Sequence, residues 1–465
     1  MFWFVCTFAT LRAHAVENVS PNVILIMADD LGYNDLSGFG HPEIDTPVLD
    51  QLASDGIRLT SFYSGASVCT PSRMALLTGC YPIRMGWKQG VIGYKMGMRD
   101  GLHPRAVTVA EVFQKSGYVT AMAGKWHLGS EPPCRPHRQG FDTAYYIDKS
   151  NNQTKKIWRN DSVVEQQFVN RRLTEQFTDE AVKFIKKNHR QKFFLYVPYT
   201  APHFPVQSHP DWKGTSSFGV YGDVVEEVDA RIGKILAALA NEGIAEQTIV
   251  LFCSDNGPQP GQAARAFPFR GMKWSALEGG TRVPCIIRWP GQIPAGKSSD
   301  QVVTAMDLMP TLCDLAGIDL GETVSLVMQR SSSGENSTMQ PLDGRSVADL
   351  FLGKVGSLPE REVLYWHGMG QPQAIRKGVW KLFFDHKATV TGLGVDGTLP
   401  DERGEAFKAL AKREGPVLFN LAEQKDELID YSLERPDIVK QLSDAATRKL
   451  SETKEHMIPL WQPSK

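Results

Sequence analysis

Four short apolar runs, residues 23–28, 118–123, 193–197 and 248–253, constrain the fold of this chain more than any other feature. Each is uninterrupted and bounded by turn residues, which is how strands buried on both faces of a parallel sheet read. All are far too short to cross a bilayer as a helix. Helical patterns alternate with them. Thr46 with Pro47 in the first turn, apolar Leu49 and Leu52, and a stop at Gly56 mark one helix. Thr108 and Glu111 have capping-box spacing around Val109, Val112 and Phe113, and Gly117 ends that segment. Val228, Ile232, Ile235, Leu236 and Leu239 share a helical face that Gly243 closes. This alternation predicts an α/β fold: a large, mainly parallel or mixed sheet with helices on both faces.

At 465 residues the chain is longer than a single core usually grows, so a second, smaller unit is expected. The polar, low-complexity stretch 331–338 reads as a surface loop or linker ahead of the boundary. Beyond it, 362–367, 373–375 and 379–384 read as strands and 436–450 as a closing amphipathic helix. The expected division is a catalytic domain over 20–355 and a small C-terminal α+β domain with an antiparallel sheet over 356–465. No internal repeat is visible.

Lys plus Arg number 51 against 52 for Asp plus Glu, so the formal charge of -1 gives no field that would recruit nucleic acid or an anionic membrane. Recognition must rest on local charge. Residues 2–11 form a short apolar run that ends near Ala13-His14-Ala15, which reads as a signal peptide over 1–15 lacking the usual positive start. Export to a periplasmic, secreted or lysosome-like compartment is the expectation, and no other stretch is long enough to span a membrane. The seven cysteines, Cys6, Cys69, Cys80, Cys134, Cys253, Cys285 and Cys313, show no CxxC metal spacing. Setting aside Cys6 with the leader and Cys69 for chemistry leaves an odd number, so at least one stays free. Asn18, Asn152, Asn160 and Asn336 begin N-x-Ser/Thr sequons, relevant only in a host that glycosylates.

Polar residues follow the apolar runs directly. Asp29 and Asp30 close the first, and Asp255 with Asn256 closes the last. In open α/β sheets ligands bind at such strand ends, and three carboxylates with an amide oxygen make a hard site suited to Ca²⁺ or Mg²⁺. One Asp pair alone could be only a turn. Two pairs carry more weight. Lys125 and His127, in Gly124-Lys125-Trp126-His127-Leu128-Gly129, would lie on one side of an extended chain, suited to anion contact and base work. An isolated Lys-x-His is more often a solvated lysine and a packed histidine. His203, flanked by Pro202 and Pro205, and Lys273, ahead of residues 278–284, are each weak signals explicable as a loop hydrogen bond and a surface charge. Cys69 stands at the mouth of a helix, whose unpaired N–H groups and about half a positive charge favour a sulfate or phosphate.

Together Cys69-Thr70-Pro71-Ser72-Arg73, the helix end Leu77-Thr78-Gly79, the Gly124 to Gly129 run and Glu278-Gly279-Gly280-Thr281-Arg282-Val283-Pro284 are highly specific. The chain resembles the type I, formylglycine-dependent sulfatases of the alkaline phosphatase superfamily, of arylsulfatase and N-acetylgalactosamine-6-sulfatase type. The resemblance runs nearly the whole length, including Leu418-Phe419-Asn420-Leu421. It implies that Cys69 is oxidised to formylglycine, an aldehyde that hydrates to a geminal diol, by a formylglycine-generating or anaerobic sulfatase-maturating enzyme. It also implies that Asp29, Asp30, Asp255, Asn256 and the modified Cys69 surround one divalent cation, calcium rather than magnesium. Arg73 and Lys125 would hold the diol. A sulfate monoester repels nucleophiles through its oxygens, so the site must neutralise charge and position the attack. One diol oxygen attacks sulfur while His203 and Lys273 stabilise the sulfuryl oxygens or protonate the departing alcohol. His127 then takes the proton of the second hydroxyl, so that the carbonyl reforms and sulfate leaves.

The expected substrate is a sulfated carbohydrate, with small aryl sulfates as surrogates. Trp87-Lys88-Gln89, residues 132–160, and Trp366-His367 with Gln371 are candidate sugar-lining segments. Competing readings are a phosphate or phosphonate monoester hydrolase of the same superfamily and an unmodified, non-catalytic glycan-binding protein. A thiol hydrolase using Cys69 and His127 is a third, which leaves the acidic residues without a role.

Overall fold

Alternation along one strand sets the architecture. In Asn22–Asp29, Val23, Leu25 and Met27 belong to one apolar core, whereas Ile24, Ile26 and Ala28 belong to another. Successive side chains point to opposite faces of a sheet, so a strand apolar at every position must be covered on both sides. The computed structural model describes residues 20–331, 341–390 and 408–463. The expected leader, Cys6, the sequons at Asn18 and Asn336, and nearly all of the 331–338 linker lie outside the described residues.

The main sheet has ten strands. Asn22–Asp29 lies at its centre, parallel to Phe193–Pro202 on one side and to Thr248–Ser254 on the other. Val119–Lys125 and Thr143–Ile147 continue the parallel part. On one side Cys285–Arg288 and Ile57–Leu59 follow in antiparallel pairing, with Lys297–Ser299 parallel to the latter at the edge, and on the other Ile157–Arg159 and Ser162–Glu165 follow in antiparallel pairing. The sheet is therefore mixed around a parallel core, and the parallel strands end on one rim.

Helices cover both faces. Leu49 and Leu52 of Pro47–Ser54, Phe177, Ala181 and Ile185 of Leu173–Asn188, and Val228, Ile232, Ile235 and Leu239 of Gly219–Asn241 build one core. Cys69–Thr78, Val109–Lys115 and Leu308–Leu315 build the other. Each fully buried Leu or Ile in these layers contributes about 1.5–3 kcal/mol. The capping box forms as its spacing predicts: Thr108 Oγ1 accepts from the Glu111 N–H at 3.2 Å, and the Thr108 N–H donates to Glu111 Oε2 at 2.8 Å. The first helix differs. Thr46 makes no side-chain cap, and Asp229 from the long helix instead accepts from the N–H groups of Val48 and Leu49 at 3.0 and 2.8 Å.

A separate antiparallel sheet is formed by Glu362–Trp366, Pro372–Lys377, Trp380–Phe383 and Val417–Asn420. The helix Pro436–Glu452 packs on it through Leu442, Ala445 and Ala446. A buried ion cluster joins it to the larger sheet. Lys381 Nζ lies 2.9 Å from Glu278 Oε1 and 2.9 Å from Glu427 Oε1, and all three side chains are fully buried. Burial opposes the charge on Glu278, but Lys381, Arg376 and Arg282 hold its carboxyl down at about 2, whereas burial beside that charge pushes Glu427 up. Among the described residues Cys69, Cys134, Cys253, Cys285 and Cys313 are free thiols, all six cysteines are buried, and no helix is long and apolar enough to cross a membrane.

Candidate active site

The parallel strands deliver their last residues to one rim, and there the polar residues meet. Asp29 ends its strand and Asp30 follows with a left-handed φ of 66°. Asp255 follows the neighbouring strand; its N–H donates to the Ala28 carbonyl, and its Oδ1 accepts from the Asp30 N–H at 3.1 Å. Asn256 Nδ2 donates to Asp30 Oδ1 at 2.7 Å and to the Gly257 carbonyl at 2.8 Å. The Asn256 Oδ1 is buried with no hydrogen-bond partner. Such an orphaned oxygen carries a desolvation cost unless something electropositive meets it.

Cys69 opens the helix Cys69–Thr78, whose N-terminus has no side-chain cap. Its Sγ lies 3.3 Å from Asp29 Oδ1 and 3.8 Å from Asp30 Oδ1. One turn on, Arg73 donates through Nε and Nη2 to Asp255 Oδ2 at 3.1 and 2.8 Å, and through Nη1 to the Lys125 carbonyl at 2.9 Å. Lys125 Nζ reaches Asp29 Oδ2 at 2.6 Å, and Lys273 Nζ lies 2.7 Å from both oxygens of Asp30. Three buried cations thus face three buried carboxylates. Ligand atoms of Asp29, Asp30, Cys69 and His203 all lie within 4.8 Å of one another. With the free amide oxygen of Asn256 this oxygen-rich set fits a divalent cation. Asp255 lies outside that group; its Oδ1 accepts from the Asp30 N–H and its Oδ2 from Arg73, and each oxygen keeps a further lone pair.

Burial alone would raise Asp29, but Lys125, His203, Arg73 and Lys273 hold it well below the usual carboxylate range. Asp255 is pushed up by burial and the nearby Asp29 charge, against the pull of Arg73. Burial, then Asp29, raises the Cys69 thiol far above its ordinary range, so the unmodified residue is a thiol and not a thiolate. Burial opposes the charge on Lys273, yet Asp30 holds its ammonium above the usual lysine range.

The two histidines are held differently. The strand Val119–Lys125 ends at Lys125, and His127 has a left-handed φ of 57°, so the extended Lys-x-His arrangement expected from the sequence is not formed. The turn swings the imidazole until Nε2 meets the Ile92 carbonyl at 3.2 Å. A carbonyl only accepts, so Nε2 carries the proton and the buried, unpartnered Nδ1 is left with a free lone pair. Burial, with Lys125 and Arg73, pushes His127 well below the ordinary histidine range, which keeps it neutral. His203 Nδ1 donates to the Phe204 carbonyl at 2.6 Å, and Nε2 lies 3.4 Å from Ser150 Oγ and 3.7 Å from Asp30 Oδ2. Burial lowers His203 to about 4, with Asp29 and Asp30 opposing.

All ten residues singled out in the sequence therefore converge on one rim. Ser150 was not singled out, yet it links Lys125 Nζ at 3.2 Å with His203. Its only signal was its place in the polar 132–160 stretch. Thr70 is another: its Oγ1 donates to the His127 carbonyl and accepts from the Ile92 N–H, both at 3.2 Å. Trp87 and Trp366 are each only 1% exposed, so their rings belong to the core and line no sugar site.

The sulfatase family profile matches residues 21–318. The chain is 34% identical over 396 residues to an arylsulfatase of Hemicentrotus pulcherrimus, covering 80% of this chain and 68% of that protein. It is 34% identical over 448 residues to arylsulfatase A of Homo sapiens, covering 89% and 83% respectively. Among solved structures, Ps i-CgsB in complex with k-i-k-neocarrahexaose superposes with a TM-score of 0.76 at 27% identity, covering 95% of this chain and 94% of that one. The polar rim at the strand ends lies within the matched region, and the chain belongs to the sulfatase family, as a hydrolase of sulfuric esters.

Proposed function

We propose that this sulfatase removes sulfate from a carbohydrate, using a formylglycine made from Cys69 and one calcium ion held by Asp29, Asp30, Asp255, Asn256 and the modified residue 69. The observation that carries the reading is the pair of unpartnered atoms, Asn256 Oδ1 and His127 Nδ1, in a site whose other polar groups are matched. One is suited to a cation and the other to a proton. When bound, the cation supplies charge neutralisation and lowers the proton affinity of the attacking hydroxyl. The hydrated aldehyde supplies two hydroxyls on one carbon, which neither cysteine nor serine offers.

The chain's own residues do the rest. Arg73 and Lys125 pair with Asp29, the carboxylate beside residue 69, and from there would fix the attacking oxygen. Lys273 presents a permanent positive charge to the sulfuryl oxygens. His203 faces the same space through Nε2, and the incoming negative sulfate raises its affinity for a proton that it can pass to the departing alcohol. His127 Nδ1 takes the proton of the second hydroxyl, so that the carbonyl reforms and sulfate is released.

A carbohydrate is favoured because similar chains include an N-acetylgalactosamine-6-sulfatase of Canis lupus familiaris and a protein crystallised with a neocarrahexaose. Export by a leader over residues 1–15, maturation by a formylglycine-generating or anaerobic sulfatase-maturating enzyme, and a division into 20–355 and 356–465 belong to the same reading. A panel of defined sulfated sugars, with paired aryl sulfate, phosphate and phosphonate esters, tests it. Desulfation of at least one sugar and a preference for sulfate over phosphate are expected. Turnover of aryl sulfate with no sugar desulfated would overturn the carbohydrate assignment.

A further inference from the structure

Two aromatic side chains stand beside the site on backbone that the catalytic groups themselves hold. Trp274 directly follows Lys273, and its φ of 80° is uncommon for a bulky residue. Backbone of this kind persists where the surroundings over-determine it and clusters at functional sites. Here the surroundings are visible. The Trp274 N–H donates to the Ser67 carbonyl, two residues before Cys69, and its carbonyl accepts from the Gly368 N–H, both at 2.9 Å. Gly368 is required by close approach, since a Cβ there would lie 2.6 Å from Trp274 Cε3. Tyr94 packs edge-on against the Trp274 ring with centroids 5.5 Å apart, and remains 51% exposed. It lies two residues after Ile92, whose carbonyl holds His127. The Tyr94 segment is tied in turn to the smaller sheet's turn, because the Gly90 N–H donates to the Gly368 carbonyl at 2.8 Å.

These aromatics have no counterpart in the chemistry at sulfur. Within the fold they connect Lys273, the Cys69 helix and His127, the three places that surround the transferred group. Tyr94 is half exposed and Trp274 is partly buried, packed on one side against the core, and aromatic surface left open in this way favours ligands with a flat C–H face and polar edges, which a pyranose ring has. We propose that Tyr94 and Trp274 form a wall against which the ring of the sulfated sugar lies, so that these two residues set the preference for sugar sulfates over simple sulfate esters. This proposal rests on the carbohydrate reading above. Its specific content is that the wall acts on the sugar and not on the transfer step.

The test compares the mature enzyme with Tyr94→Ala, Trp274→Ala and Trp274→Phe on a monosulfated hexose that the wild type desulfates and on ethyl sulfate, too short to reach the wall. Loss of one aromatic contact is expected to lower kcat/KM on the sugar by about tenfold, mainly through KM. Ethyl sulfate turnover is expected to change less than about twofold, and Trp274→Phe to keep most of the sugar activity. Equal losses on both esters would reduce the pair to a packing role and overturn the proposal. Unchanged sugar kinetics in Tyr94→Ala and Trp274→Ala would overturn it while leaving the carbohydrate reading intact. A wild type that desulfates no sugar in the panel would remove that reading, and the wall with it.

Discussion

At the scale of single residues, the site depends on which atoms are left without partners. His127 gives its Nε2 proton to the Ile92 carbonyl and is kept neutral by burial and by Lys125 and Arg73, so Nδ1 is the nitrogen available as a base. Gln at this position can still donate to Ile92 but offers no basic nitrogen. His127→Gln is therefore expected to lower kcat by about 10²–10⁴ with little change in KM, read from steady-state kinetics on an aryl sulfate. Comparable loss through KM alone would place His127 in substrate binding instead. The competing thiol mechanism gains nothing at the same scale: burial and Asp29 raise the Cys69 thiol above its ordinary range. Asp30, His127 and Trp274 all take left-handed backbone conformations, each within two residues of Asp29, Lys125 or Lys273.

At the scale of elements, caps and buried charges fix how the helices and the smaller sheet meet the site. The Glu111 carboxyl closes its capping box from a position where burial raises it to about 7. The folded state therefore binds more protons than the unfolded chain between about pH 4.5 and 7, and its stability falls as pH rises through that window. Glu111→Gln removes this slope while keeping an acceptor for the Thr108 N–H. Its stability relative to wild type is expected to improve by about 1–2 kcal/mol between pH 5 and pH 8, read from denaturant midpoints. A constant difference across that range would refute the shift. The cluster joining the two sheets makes a second prediction. Lys381→Met strands two buried carboxylates and is expected to cost about 3–5 kcal/mol, whereas Glu427→Gln, removing the carboxyl already pushed toward neutrality, costs less than Glu278→Gln. The reverse order of the two Gln variants would contradict the charge distribution. The capping box was readable from its four-residue spacing. The Lys381 cluster was not, because no local pattern joins positions 278, 381 and 427.

For the whole molecule, the parallel core sheet and the polar strand ends were legible because both follow from local runs: apolar residues at every position, then Asp, Lys or His where the strand stops. The antiparallel edge strands were harder to see, being only three or four residues long. Residues that act across loops, such as Ser150 and the Ile92 carbonyl, carry no signal until folding brings distant segments together. The same assembly bears on the loss of a cation: Arg73, Lys125 and Lys273 already face the three carboxylates. Chelation is therefore expected to abolish turnover while lowering the thermal midpoint only modestly, with calcium restoring both. Full activity after exhaustive chelation would rule the cation out of the mechanism.

The most direct measurement is the mass of the peptide containing position 69 from enzyme made in its native host, with an aldehyde-reactive probe and a Cys69→Ala control. The expected result is a species lighter than the cysteine peptide that captures the probe, in proportion to sulfatase activity across preparations. Full sulfatase activity from protein whose residue 69 is entirely unmodified thiol would contradict the proposed chemistry.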